Sequence, residues 1–423
     1  KLPLLLLANA VALLALAYWL RQQRHVPALR VFLLPALLLR LLAGALSTIR
    51  PTDDAYYFHA WSGHMAEQLR ADPGGWLRML AENEFRFDGH ELIFHGYSNT
   101  LFFIKLLSAF SWLTGDSLLL KALYLAIASF IGCWCLTRML SRLFPGTRGA
   151  AIIGLLFWPS AVYWSCGLTK ESLLLTGSAL LLTGALRLLY GPKPGWGWGL
   201  AAALLGAWLS FKMRFFFGGV LLGVLLSLAV VRALQLLGGP FARRRWQALV
   251  FGLLLLGGVW AASEVSPVFR FNKFSSQLLR VHTTLRERSA GRPHVELPGL
   301  APTAGSILQN TPKAVVSALF RPFAWEGDSM YYGFAALENL GLLLLTGAAL
   351  WDVLRGRRAA LPFALALALL TYCLLLAALV GLSTPNLGTL SRYRAPWMPL
   401  LIYLLVAQPT VSGWLRRFNG LNR

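Results

Sequence analysis

Asp53 and Asp54 stand side by side in RPTDDAYYFHAW, residues 50–61, just past the apolar run VFLLPALLLRLLAGALST. A carboxylate in that position can take a proton from an incoming hydroxyl. Pro51, Thr52 and Asp53 also make a good helix start, because a Thr or Asp side chain caps free amide N–H groups. The plainer reading makes the aspartates caps or partners of the helix dipole. Against it, one cap suffices, and nine of the 17 acidic residues fall between 49 and 118. Cations stand at other expected span ends: Lys170 in SCGLTKESLLL, Lys212 and Arg214 in SFKMRFFF, Arg321 in LFRPFAW, and Arg392 and Arg394 in TLSRYRAPW. Singly, each reads as an interfacial cation reaching toward headgroups. Together they can hold a lipid-linked phosphate through charge-assisted hydrogen bonds. A carboxylate base with such cations suits transfer from a phospholipid-type donor, whose leaving phosphate is a weak base and needs no general acid. Tyr56, Tyr57, His59, His95 and Glu171 are the remaining groups expected to line the substrate region.

These groups need a frame. The 423 residues are 57% hydrophobic and 13% charged, against roughly a quarter charged in soluble domains. The apolar residues fall in runs of about 15 to 23, near the ~20 needed to cross a hydrocarbon core. In order, the runs predict spans near 2–20, 31–48, 119–140, 150–165, 171–189, 198–211, 216–236, 248–263, 336–354, 360–381 and 395–412. The expected fold class is an all-α polytopic membrane protein of about 11 transmembrane helices, a single integral-membrane domain over 1–423.

The net charge of +22 is explained by its placement. The connectors RQQRH, RMLSRLFPGTR, FARRRW and RGRR, with the tail WLRRFNGLNR, alternate with the spans so as to share one face. That face carries 18 Lys/Arg against Asp352 alone, which makes it cytoplasmic, with the N-terminus outside and the C-terminus inside. No basic stripe interleaves with exposed aromatics, so nothing points to nucleic acid. The first run has no small-x-small cleavage site and reads as a retained helix rather than a signal peptide. Cys133 and Cys135 point to different faces of one helix, and Cys166 and Cys373 stand alone, so no disulfide or zinc spacing is expected.

Two connectors are long, 49–118 and 264–335, both on the outer face. Loops beyond about 15 residues are usually functional or disordered, and the aromatics and periodic segments here predict order. Tyr57, Trp61, Met65 and Leu69 recur every four residues, the mark of a helix with one apolar stripe. TLFFIKLLSAFSWLTG, 100–115, is short for a span and reads as an interfacial helix. The second loop is basic first, in FNKFSSQLLRVHTTLRERSAGRPH, and aromatic later, in SALFRPFAWEGDSMYYG.

The aspartate pair after an early span, the aromatic outer loop and the helix ending WLTGDS resemble the GT-C superfamily of membrane glycosyltransferases. So do the helix running into RMLSRLFPGTRGA and the turn FWPSAVYWSCGLTKESLLL, while NLGTLSRYRAPWMP is similar to the last outer loop of bacterial members. The resemblance is strongest over about 31–190. It implies a polyprenyl-phosphate-sugar donor, a hydroxyl acceptor (glycan, lipid or protein) and an inverting displacement. It also implies a site on the periplasmic side of a bacterial inner membrane. It assigns the catalytic base to Asp53 or next to Asp54, with phosphate holding left to Lys170, Arg214, Arg321, Arg392 and Arg394. The chain departs from the pattern in an extra helix before the usual first span and in lacking a large C-terminal soluble domain. The second departure argues against an oligosaccharyltransferase of the large-domain type.

His59, His64, His90 and His95 share the loop with the aspartates, and some members of the superfamily use a divalent ion. His59 and His64 are five apart, a poor fit to one helical face, so no metal ligand is assigned and a divalent ion stays an option. An O-antigen-type polymerase or ligase is the alternative enzyme, with RVHTTLRERSAGRPH as its active segment. A lipid-linked glycan transporter is the non-enzymatic reading. Transporters carry polar sites near the bilayer midplane, whereas here Arg40 is the main intramembrane polar residue.

Overall fold

The computed structural model describes residues 2–327 and 329–418. In chain order the helices are α1 (Leu2–Gln23), α2 (Arg30–Leu46), α3 (Asp53–Ala71), α4 (Pro73–Met79), α5 (Asn99–Thr114), α6 (Leu118–Leu143), α7 (Arg148–Ile152), α8 (Pro159–Trp164), α9 (Lys170–Tyr190) and α10 (Trp196–Met213). They continue with α11 (Phe215–Leu237), α12 (Arg244–Val265), α13 (Phe271–Glu287), α14 (Ala304–Phe320), α15 (Met330–Leu354), α16 (Phe363–Ser383), α17 (Leu387–Arg394), α18 (Met398–Val406) and α19 (Pro409–Phe418). Among the described residues seven helices are long and apolar enough to cross a membrane: α1, α6, α9, α11, α12, α15 and α16. The pair α18–α19, bent by 82°, makes an eighth if it is one span. The protein is all-α, and its helices have the pattern of a multi-pass membrane protein.

Four of the eleven expected spans take other forms. Residues 31–48 are the 17-residue α2, and 198–211 are α10, which starts Trp-Gly-Trp-Gly and ends beside Lys212. Residues 150–165 are broken into α7, a π turn at Ile153–Phe157 and α8. Residues 395–412 are the bent pair.

The chain forms two compact units. The first comprises 1–138, 162–182 and 202–215. Its first long loop packs α3 on α5, with Phe58 edge-on to Phe103 at 5.1 Å between ring centroids. The helix expected from the four-residue repeat is present, but its buried face runs through Phe58, Ser62, Met65 and Leu69, and Tyr57 is 38% exposed. Ser62 explains the rotation: its hydroxyl accepts from Lys121 Nζ at 2.8 Å, so a polar residue occupies a core position that an apolar pattern passes over. A small antiparallel hairpin pairs Glu84–Phe87 (β1) with His90–Ile93 (β2). Its turn is Asp88-Gly89, both at positive φ (49° and 75°), as a two-residue hairpin turn requires. Deeper in this unit Arg40, fully buried, donates from Nη1 to Ser129 (2.7 Å) and Ser165 (2.9 Å).

Within the same unit the first half of α9 lies against the second half of α10 at glycine contacts. A Cβ at Gly206 would overlap the Leu181 backbone, and one at Gly177 would come within 2.9 Å of the Ser210 amide. Small residues let helices approach this closely. Gly206→Ala is therefore expected to force the pair apart and lower stability by about 1–3 kcal/mol, the range for an overpacked core. Thermal melting of the purified protein checks this; an unchanged midpoint would mean that α9 and α10 do not need the contact.

The second unit comprises 139–161, 183–201 and 216–423, described to residue 418. It is built around α14 on α16, where Gly381 sits against the Ala314 backbone. The π turn packs on α18, with Gly154 against Pro399 and Tyr403. Buried Asp352 accepts from the Thr410 amide (2.7 Å) and hydroxyl (2.6 Å), which fixes the start of α19. Residues 289–297 of the second long loop are stitched to the last one: Val295 N donates to Pro385 O at 2.9 Å, and Asn386 Nδ2 to Ser289 Oγ at 2.9 Å.

Candidate functional site

The helix start at α3 separates capping from chemistry. Thr52 is the N-cap, and its hydroxyl accepts from Ala55 N at 3.3 Å. Neither aspartate is needed for that bond, so both carboxylates lie exposed in the first turn, where aligned amide dipoles favour negative charge. Residues four apart share a helix face. Asp54 therefore lies above Phe58, whose ring is 5.4 Å from Lys170 Nζ, while Asp53 lies above exposed Tyr57. Tyr56 is exposed as well. A small cleft beside this start is lined by Arg50, Thr52, Ala55, Tyr163 and Thr169.

The close α9–α10 contact sets the next layer. It brings Glu171, in the first turn of α9, to Arg214, the single residue between α10 and α11. Arg214 Nη2 meets Glu171 Oε1 at 2.6 Å, with 3% of the Glu171 side chain and 19% of the Arg214 side chain exposed. Lys170, half-buried, donates to Asn99 Oδ1 (2.9 Å) and Thr100 Oγ1 (2.7 Å) at the start of α5. Asn99 Nδ2 in turn donates to Met213 O at 3.0 Å, and Tyr97 OH to Lys212 O at 2.6 Å. Lys212 Nζ lies over the Tyr97 and Phe102 rings at 4.6 and 5.5 Å. Burial pushes the Tyr97 hydroxyl up to about 12, so it is a donor at neutral pH. Buried Lys105, which donates to Leu80 O at 3.2 Å, is held below its ordinary value by burial first, with Glu82 opposing and the Lys212 charge adding to the depression.

In this unit Arg214 pairs with the buried Glu171, Lys170 bonds Asn99 and Thr100, Lys212 lies over Tyr97 and Phe102, and Lys105, further along α5, feels the Lys212 charge. Sequence reasoning singled out Lys170, Glu171 and Arg214, which the structure brings together. It missed Lys105 and the Tyr97–Thr100 segment. Lys105 looked like an odd charge in an apolar helix, and YSNT carries no pattern by itself.

A second polar group ties α3 to the start of α6. Fully buried Lys121 pairs with Asp116 and reaches His59 Nδ1 at 3.4 Å. His59 is held below its ordinary 6.5, by burial first and then by the Lys121 charge, against Asp116. A neutral ring is favoured in the fold, so the unfolded chain binds more protons below pH 6.5. This share of stability is present above that pH and lost as pH falls through the lower folded value. The melting temperature is expected to drop on acidification below about 6.5, with a shallower drop in His59→Gln. Equal slopes would take His59 out of the effect.

The other histidines are placed differently. His64 and His90 stack at 3.6 Å between ring centroids, beside Trp61, and His95 is exposed. Among the described residues no three His, Cys, Asp or Glu side chains converge as a metal site would need.

The remaining expected cations belong to the second unit. Arg321 pairs with Glu326 and donates to His294 O at 3.2 Å. Arg394 has no exposed surface, and its Nη1 donates to Leu319 O and Arg321 O, both at 3.2 Å, so it holds the end of α14. Arg392 is half-buried, its guanidinium 5.3 Å from the Tyr393 ring centroid. Compared with known proteins, the chain is matched by no family model, no curated protein and no solved structure.

Proposed function

We propose that the protein is an inverting glycosyltransferase that moves a sugar from a polyprenyl-phosphate donor to a hydroxyl acceptor at the periplasmic face of a bacterial inner membrane. The observation that carries this reading is the cation group Lys170, Lys212 and Arg214. It lies in the same unit as an exposed aspartate pair whose helix start is capped by another residue. The cations hold the phosphate, and Asp53 deprotonates the acceptor hydroxyl. In an inverting displacement the attacking oxygen and the leaving phosphate lie on opposite faces of the sugar. The base should therefore be the carboxylate turned away from the cations. Asp54 shares the Phe58 face next to Lys170, and Asp53, about 100° round the helix, does not. Asp54 supports the base or orders the region around Lys170. Arg321, Arg392 and Arg394 belong to the second unit, where Arg321 pairs with Glu326 and Arg394 holds the end of α14.

The proposal includes the full map of eleven spans, with both long loops outside. A reporter fused after Arg245 should read cytoplasm and one at Gly291 periplasm; reversal at either point would put the aspartates on the wrong side. The direct test of activity is transfer by the purified protein from a panel of radiolabelled polyprenyl-phosphate sugars. No transfer from any of them, by protein shown to be folded, would sink the reading. A polymerase or ligase of the O-antigen type is supported by the stitching of residues 289–297 to 385–386. It is favoured if activity survives loss of both aspartates but not of Arg288 or His294.

A further inference from the structure

The second long loop contains a charged helix that the proposed chemistry leaves unused. From 270 to 292 the chain holds Arg270, Lys273, Arg280, Arg286, Arg288 and Arg292 against one acid, Glu287. All six cations are exposed, and none forms an ion pair among the described residues. On α13, Lys273 and Arg280 lie away from the face buried through Ser275, Leu278 and His282, and Arg286 stands one turn past His282 at the helix end. His282 is hydrogen-bonded to Leu382 O at 2.9 Å, so that face is already taken, and the basic face is the free one.

The setting identifies the partner. α13 follows the apolar α12 after the short turn 266–270, and it docks on the last turn of the apolar α16. Both helices are long and apolar enough to cross a bilayer; α13 begins just past the end of one and packs on the last turn of the other, and the ends of two crossing helices lie among headgroups. Beside the cations, Val265, Val268 and Phe271 are 86%, 50% and 44% exposed, as suits side chains that enter the acyl boundary. A helix with an apolar edge and a lysine- and arginine-rich face lies in the interface of anionic membranes.

We propose that the exposed face of α13 binds anionic phospholipid headgroups and holds a shell of them around the end of the second unit. The proposal does not depend on glycosyl transfer. Each Lys or Arg near such a surface contributes about 1 kcal/mol, roughly a fivefold preference.

The test uses the full chain in nanodiscs of mixed phosphatidylcholine and phosphatidylglycerol. Three native cysteines are buried and one is half-buried, so a fluorophore on Thr284→Cys, an exposed position on α13, labels selectively. Brominated phosphatidylglycerol should quench it several-fold more than brominated phosphatidylcholine at equal mole fraction. The excess should shrink at high salt and approach parity in Lys273→Gln/Arg280→Gln/Arg286→Gln. These are exposed positions, and melting confirms that the variant folds. Equal quenching by the two lipids in the unmutated helix overturns the proposal. So does a probe response to an acidic polysaccharide in solution with no lipid preference, which would make the face a site for a soluble polyanion.

Discussion

Asp53→Asn is expected to give a folded protein that binds its lipid donor and turns it over about 10²–10⁴ more slowly, the usual cost of losing a general base. The substitution keeps the shape of the side chain and removes its basicity. It leaves Thr52 bonded to Ala55 N, so the helix start does not depend on it. Loss of an N-cap costs only about 1 kcal/mol, which would show in melting and not in chemistry. Asp54→Asn should cost less in rate, and because Asp54 lies on the Lys170 side, its effect should fall more on donor KM than on kcat. Near-full turnover in Asp53→Asn would reduce that carboxylate to a partner of the helix dipole. If Asp54→Asn is instead the dead variant, the base is the aspartate nearer the cations, and the opposite-face argument fails.

Glu171 and Arg214 allow stability and donor use to be separated. Glu171→Gln leaves a largely buried guanidinium without its carboxylate partner, and breaking such a pair typically costs about 3–5 kcal/mol. A melting midpoint lowered by many degrees is expected. Glu171→Leu/Arg214→Met removes both charges, and exchanging a buried pair for apolar groups is often neutral. The double variant should therefore melt near the parent while losing donor use, because the cation is gone. Full activity in it would show that Arg214 serves only Glu171. A melting point as low as the single variant's would show that the pair has no apolar substitute at this glycine-packed junction.

Much of the frame was legible because hydrophobic runs and charge asymmetry are one-dimensional signals. Seven helices follow from them directly. The broken segment at 150–165 was not, since the π turn comes from packing against α18 and leaves the local apolar content unchanged. The hairpin at 84–93 had a readable sign, Asp-Gly between FRF and HEL, but it is shorter than the surrounding helical pattern. At the site, Lys170, Glu171 and Arg214 announced themselves as charges at span ends. That Glu171 and Arg214 are mutual partners depends on the approach of α9 to α10, which Gly177 and Gly206 permit. Glycine spacing does not name the neighbour it makes room for. The roles of Ser62, Lys105 and Lys121 were hidden for the same reason: each looks misplaced until the group it bonds comes into view.

Thr52 has an evolutionary consequence. Where one residue both starts a helix and performs a reaction, every trial replacement is filtered first by folding, and few alternatives are ever sampled. Here the task of beginning α3 rests on a hydroxyl one step upstream, so positions 53 and 54 can drift among Asp, Glu, Asn or Ser without unravelling the turn. Related chains that run the same reaction should keep Asp53 for its basicity and vary more at 54, while position 52 keeps a capping side chain. The pair is then a place where new acceptors or new chemistry can be tried at small structural risk.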